Sequence, residues 1–250
     1  MPPSAPAFVQ ISKTIQSTNA TNPTTITLPS LTLTTGNLAV LAFSMGGRGF
    51  GTTTINSVTD AQGNTYSNNV GATAMSINLP SAIGNYGEQF WMYWVNAIKG
   101  GAGQLSINMA AGYPTVTWFA FWLEYSPASS PPVSYINQNG VTSGTISNST
   151  VLNSGTSALN TIVSLAFNCS GTNTTPSTIT DRSANSYTGY GVVGDQASSA
   201  PSGEAVTFSY TSGSFNQWAL LSINFPAGTA PPPTTGGGNL NPGCDFKIRL

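Results

Sequence analysis

The chain contains no histidine, two cysteines, and only six basic and seven acidic residues among 250. Each scarcity excludes something. Without histidine, the usual Ser-His and Cys-His nucleophile pairs and the commonest general base are unavailable. Six scattered Lys and Arg residues make no electrostatic footprint for phosphate, so nucleic acid is not an expected partner. Cys169 and Cys244 are too few for a disulfide framework, and without histidine partners they make no metal site. They read as two separate free thiols, and neither a metal nor another cofactor is expected. No apolar run approaches the length of a membrane-spanning helix, so no membrane partner is expected either. Residues 1–6 carry neither a basic nor an apolar region, so a secretory signal is not expected. The N-x-Ser/Thr sequons at Asn19, Asn148, Asn168 and Asn173 are what chance supplies in a chain so rich in these residues.

What remains is a β composition. Thr, Val, Ile and aromatic residues fall in short runs between Gly, Pro, Asn and Ser, which favours strands and turns over helices. One stretch occurs twice: Thr59-Asp60-Ala61-Gln62-Gly63-Asn64-Thr65-Tyr66 returns as Thr180-Asp181-Arg182-Ser183-Ala184-Asn185-Ser186-Tyr187. Asp60 is placed to accept backbone N–H groups in an Asx-turn, with Gly63-Asn64 suited to positive φ. One carboxylate per copy is too few for a Ca²⁺ cage, which needs six to eight oxygens. Around the motif, 40–43 is echoed by 164–167 and 118–125 by 218–225. The expected fold is therefore all-β: a jelly-roll-like antiparallel sandwich of two pseudo-repeated halves, about 8–127 and 133–226. Residues 227–243 are Pro/Gly/Thr-rich and read as a linker. In 244–250, Phe246, Ile248 and Leu250 alternate with Lys247 and Arg249, the pattern of one half-buried strand.

Residues 38–43 are almost continuously apolar, as in a strand covered on both faces. Aligning 118–125 with 218–225 puts Phe119, Phe121, Leu123 and Tyr125, with their matches, on a core face. The opposite face carries Trp118, Trp122 and Glu124. With Trp91 and Trp94, these tryptophans are the candidate partner-binding surface, either a self-association face or a platform for sugar stacking. A second packed layer covering them is the plainer reading. Of the carboxylates, Asp60, Glu88, Glu124, Asp181, Asp195 and Glu204 are the candidates for glycosidase-type acid–base work, but nothing in the sequence pairs them. No enzyme is expected.

Val58-Thr59-Asp60 with Gly63-Asn64-Thr65-Tyr66, then Val95-Asn96 with Gly100-Gly101, then Glu124-Tyr125-Ser126, resembles a loosely defined family of β-sandwich domains in bacterial surface and bacteriophage proteins. The glycine that usually follows Glu-Tyr-Ser is Pro127 here. The resemblance implies a sandwich and no established activity. With the low charge and the tailed architecture, the expectation is a virion structural protein, either a capsid decoration protein or a head or tail fibre component. It would be a homo-oligomer, a trimer being one form, and would dock on other virion proteins through Phe246, Lys247, Ile248, Arg249 and Leu250. The alternative is an extracellular carbohydrate-binding or adhesin module meeting a host surface glycan.

Overall fold

The computed structural model describes residues 4–20, 23–48, 53–67, 75–78, 86–110, 116–128, 134–141, 146–152, 160–168, 174–176, 179–183, 191–198, 204–210 and 217–227. The tail carrying Phe246 to Leu250, and Cys169 and Cys244, lie outside them. The first half supplies β1 (Phe8–Ala20), β2 (Thr25–Leu33), β3 (Leu38–Arg48), β4 (Ile55–Asp60), β5 (Met75–Asn78), β6 (Tyr86–Val95), β7 (Gly101–Met109) and β8 (Val116–Tyr125). The second supplies β9 (Ser134–Val141), β10 (Ile146–Leu152), β11 (Asn160–Asn168), β12 (Thr174–Pro176), β13 (Thr180–Asp181), β14 (Gly191–Ser198), β15 (Glu204–Tyr210) and β16 (Gln217–Pro226). Every ladder between them is antiparallel.

Two five-stranded sheets have the orders β1-β8-β3-β6-β5 and β9-β16-β11-β14-β13, and two three-stranded sheets have the orders β2-β7-β4 and β10-β15-β12. Strand for strand the halves repeat, and each has the winding of a jelly roll. The all-β, jelly-roll-like expectation holds. The arrangement is richer than one pair of sheets, since each half builds its own sandwich and the two five-stranded sheets then pack face to face.

That packing follows from side-chain alternation. Leu38, Val40 and Ala42 of β3, Phe90 and Met92 of β6, and Phe119, Phe121, Leu123 and Tyr125 of β8 point to the centre. They meet Val163, Leu165, Val193, Leu221, Ile223 and Phe225 of the second half in one buried cluster. The alternate residues Ala39, Leu41, Phe43, Trp91, Tyr93, Ala120 and Trp122 point the other way, against Ile26, Leu28, Val58, Leu105 and Ile107 of the three-stranded sheet. So 38–43 is apolar throughout because β3 lies between two cores. The second half repeats the scheme with Ile162, Ala166, Ile179, Val192 and Leu220 on its outer face.

Ladder register corrects one expected correspondence. Ala42 pairs with Phe121, and Leu165 pairs with Leu221. The equivalent of 40–43 is therefore 163–166, one residue earlier than the Ala-Phe similarity at 166–167 suggested. A slip of one residue in a strand exchanges its faces, so only the hydrogen-bond register decides. Phe121 and Leu221 themselves occupy corresponding inward positions, as the aligned core faces require.

Truncating either of these central side chains removes contacts that belong to both halves. Phe121→Ala is expected to cost about 3–5 kcal/mol and Leu221→Ala about 2–5 kcal/mol. Both losses should be read in chemical denaturation as a lower midpoint of one shared transition.

Candidate functional site

The tryptophan face is covered. Trp122 is fully buried and Trp91 almost so, both inside the core between the first half's two sheets. Trp91 stacks on Phe43, with ring centroids 5.0 Å apart. Trp118 packs partly buried against the same core. Trp94 faces the other way, into the central cluster, with its ring edge-on to Phe225 at 6.3 Å. The expectation of a partner-binding or sugar-stacking platform on Trp91, Trp94, Trp118 and Trp122 is therefore corrected. The three-stranded sheet covers three of them and the second half covers the fourth. Among the described residues the one exposed large apolar side chain is Val9.

The duplicated motif is a structural turn at its first copy. Asp60 ends β4, and one carboxylate oxygen accepts from the backbone N–H of Gln62 (3.1 Å) and of Asn64 (2.9 Å). The other accepts from the Asn64 side-chain amide (2.8 Å) and the Tyr66 hydroxyl (3.1 Å). Gly63 sits at φ 69°, in the left-handed region that glycine enters without steric cost. Asn64 then accepts from the Lys99 backbone N–H at 2.8 Å, tying the turn to the start of β7. The Tyr66 hydroxyl in turn accepts from the Trp122 indole N–H at 2.9 Å. A chain of polar contacts thus runs from the turn into the core. Burial, and then the Asp60 charge, push the Tyr66 hydroxyl far above its ordinary pKa.

Asp181 repeats the local geometry only. Its carboxylate accepts from the backbone N–H of Ser183 at 2.8 Å and from the Ser183 hydroxyl. Its surroundings differ: Asp60 pairs with Leu105 in the three-stranded sheet, whereas Asp181 pairs with Gly194 in the five-stranded one. Thr180 stands opposite Asp195, where the first half has Ser67 opposite Trp94. The two turns are thus offset along the fold and not in matching places. Asn185 and Tyr187 lie outside the described residues.

Glu124 and Asp195 are committed as well. Glu124 is fully buried on β8 and accepts from Thr34 N–H (2.8 Å), the Asn37 amide (2.6 Å) and the Gln10 amide. It pins β1 and the turn after β2 to the five-stranded sheet. Its equivalent in the second half is Asn224, buried with neither polar atom of its amide partnered. Asp195 of β14 is held by Arg182 in two contacts, of 2.7 and 2.9 Å, and by the Tyr125 hydroxyl at 3.0 Å. Arg182 also lies over the Phe8 ring, 4.2 Å from its centroid. Burial, then the Asp195 charge, raise the Tyr125 hydroxyl well above the usual range. This cluster was not singled out from the sequence. The signal was there: Tyr125 aligns with Phe225, and a hydroxyl added to a core face needs a buried acceptor.

No family model, curated protein or solved structure matches the chain.

Two outcomes follow. Removing Asp60 takes the acceptor from four backbone or side-chain donor contacts around a buried turn, so Asp60→Ala should cost about 3 kcal/mol or more. Asp181→Ala, which loses the contacts to Ser183, should cost about 1 kcal/mol; equilibrium denaturation of the pair measures the contrast. For Tyr66 and Tyr125 the folded pKa is raised, so their contribution is fully present below the unfolded value near 10 and is lost as pH climbs above it. Tyrosinate absorbance should therefore show two tyrosines that do not ionise until the protein unfolds in alkali.

Proposed function

We propose that the chain is a non-enzymatic structural protein of a bacteriophage particle, a decoration protein or fibre component that works by protein–protein assembly. The observation that carries the reading is how the carboxylates are used. Asp60, Glu124 and Asp195, the buried acids among the described residues, are each bound by two or more internal donors. A catalytic pair needs a carboxyl group facing a substrate, and these face the protein's own backbone and side chains.

The fold lends support by analogy alone, since jelly rolls recur in viral capsid and lectin domains and a fold does not fix a function. Between those two, the burial of Trp91 and Trp122 weighs against sugar stacking, because a stacking platform has to be open to the ring it binds. A rigid doubled sandwich with a linker and one alternating terminal segment suits a protein that is displayed on a particle and tethered to it. In this reading Phe246, Ile248 and Leu250 add as an edge strand to a neighbouring subunit or particle protein, with Lys247 and Arg249 outward. The linker spans at most roughly 60 Å when extended, which reaches another protein.

Deleting residues 244–250 tests the reading. The truncated chain should keep the full-length denaturation midpoint and lose incorporation into particles, followed by mass spectrometry of the purified assemblies. Unchanged incorporation would contradict docking through the tail. Glycan binding by the truncated chain would instead favour an adhesin.

A further inference from the structure

Residues of one five-stranded sheet have equivalents in the other, which the ladder registers make explicit. Val40 of β3 pairs with Leu123 and Trp94, while Val163 of β11 pairs with Ile223 and Asp195. Trp94 and Asp195 are thus equivalent positions, and so are Tyr125 and Phe225. Across the central interface Trp94 of the first half meets Phe225 of the second. The equivalent contact is Asp195 of the second half with Tyr125 of the first. One end of the interface is an aromatic pair and the other a hydroxyl–carboxylate pair. In an isologous dimer of two identical halves the two ends would have to be the same.

We propose that these four residues are a pairing code that makes the two halves recognise each other and reject the corresponding half of a second copy. The combinations forced by like-with-like pairing explain the rejection. Two first halves would set Tyr125 against Trp94, whose indole N–H is a donor and offers the buried hydroxyl proton no acceptor. Two second halves would set Asp195, 6% exposed, against Phe225, which has no donor, so the carboxylate would keep Arg182 of its own half and lose the hydroxyl. Only the unlike pairing gives the Tyr125 hydroxyl a carboxylate to donate to and gives Asp195 a donor from the facing half. Arg182 strengthens the choice, since it binds Asp195 while lying over Phe8 of the first half. The large central face is consequently reserved for intramolecular use, and any assembly of copies must employ another surface.

The test moves one oxygen atom. In the full-length chain, Tyr125→Phe combined with Phe225→Tyr leaves composition unchanged but reverses the code. Asp195 then faces a ring without a hydroxyl and Trp94 faces one with it, whereas like-with-like pairing becomes complementary at both ends. The exchanged protein should unfold with an equilibrium constant about tenfold or more above the wild type. After refolding, its mass by light scattering should rise with protein concentration beyond that of the wild type. An unchanged unfolding constant would overturn the proposal. A destabilised protein with the wild-type mass at every concentration would overturn the rejection of a second copy. Should the exchanged chain fail to fold, a cycle of Tyr125→Phe with Asp195→Ala decides. The double variant should lose at least fivefold less than the product of the two single effects, and independent effects would refute recognition between the pair.

Discussion

Everything in this molecule depends on a five-stranded sheet that is apolar on both faces. Such a sheet is unstable with only one face covered, because each large side chain left in water forfeits about 1.5–3 kcal/mol. The first half's sheet buries Phe90, Phe121 and Leu123 on one side and Phe43, Trp91 and Trp122 on the other. The three-stranded sheet supplies one cover, and the second half supplies the other. The layer order three, five, five, three is the consequence. The duplicated sequence thus serves as the partner that the first copy requires, and the contact resembles an obligate dimer interface made within one chain.

The halves have diverged strongly on their outer faces. Where the first has Leu41, Phe43, Tyr93 and Trp122, the second has Ser164, Ala166, Gly194 and Ser222. The Ser164 and Ser222 hydroxyls satisfy each other at 2.7 Å, and Ile179 closes over Gly194, so near that a Cβ there would lie 2.7 Å from its Cδ1. The first half therefore holds a bulky aromatic core with a polar thread, Trp122 to Tyr66 to Asp60, and the second a smaller, more polar one. On the central faces Val40 with Val163, Phe121 with Leu221 and Leu123 with Ile223 stay apolar, while Trp94 gives way to Asp195 and Phe119 to Ala219.

Much of this was legible in the chain. Alternation in 118–125 assigned both faces of β8, and the unbroken apolar run at 38–43 announced a strand between two cores. The Asp60 turn was readable from the chemistry of Asp, Gly and Asn. Register was not: Ala-Phe at 166–167 looks like Ala-Phe at 42–43, yet the ladder places Phe43 with Ala166. Nor could alternation say what covers a face, so Trp91, Trp94, Trp118 and Trp122 passed for a docking surface when the covers came from remote strands. Tyr125 and Asp195 meet across 70 residues of sequence, a distance no local pattern reports.

The two jelly rolls form one cooperative body, each completing the other's sheet. Native-state hydrogen exchange, followed by mass spectrometry of peptides from β3, β8, β11 and β16, tests it most directly. Slow amides in all four strands should exchange through the same global opening, with equal free energies and equal denaturant dependence. Peptides of β11 and β16 exchanging through a separate, lower-energy opening while β3 and β8 stay protected would contradict it.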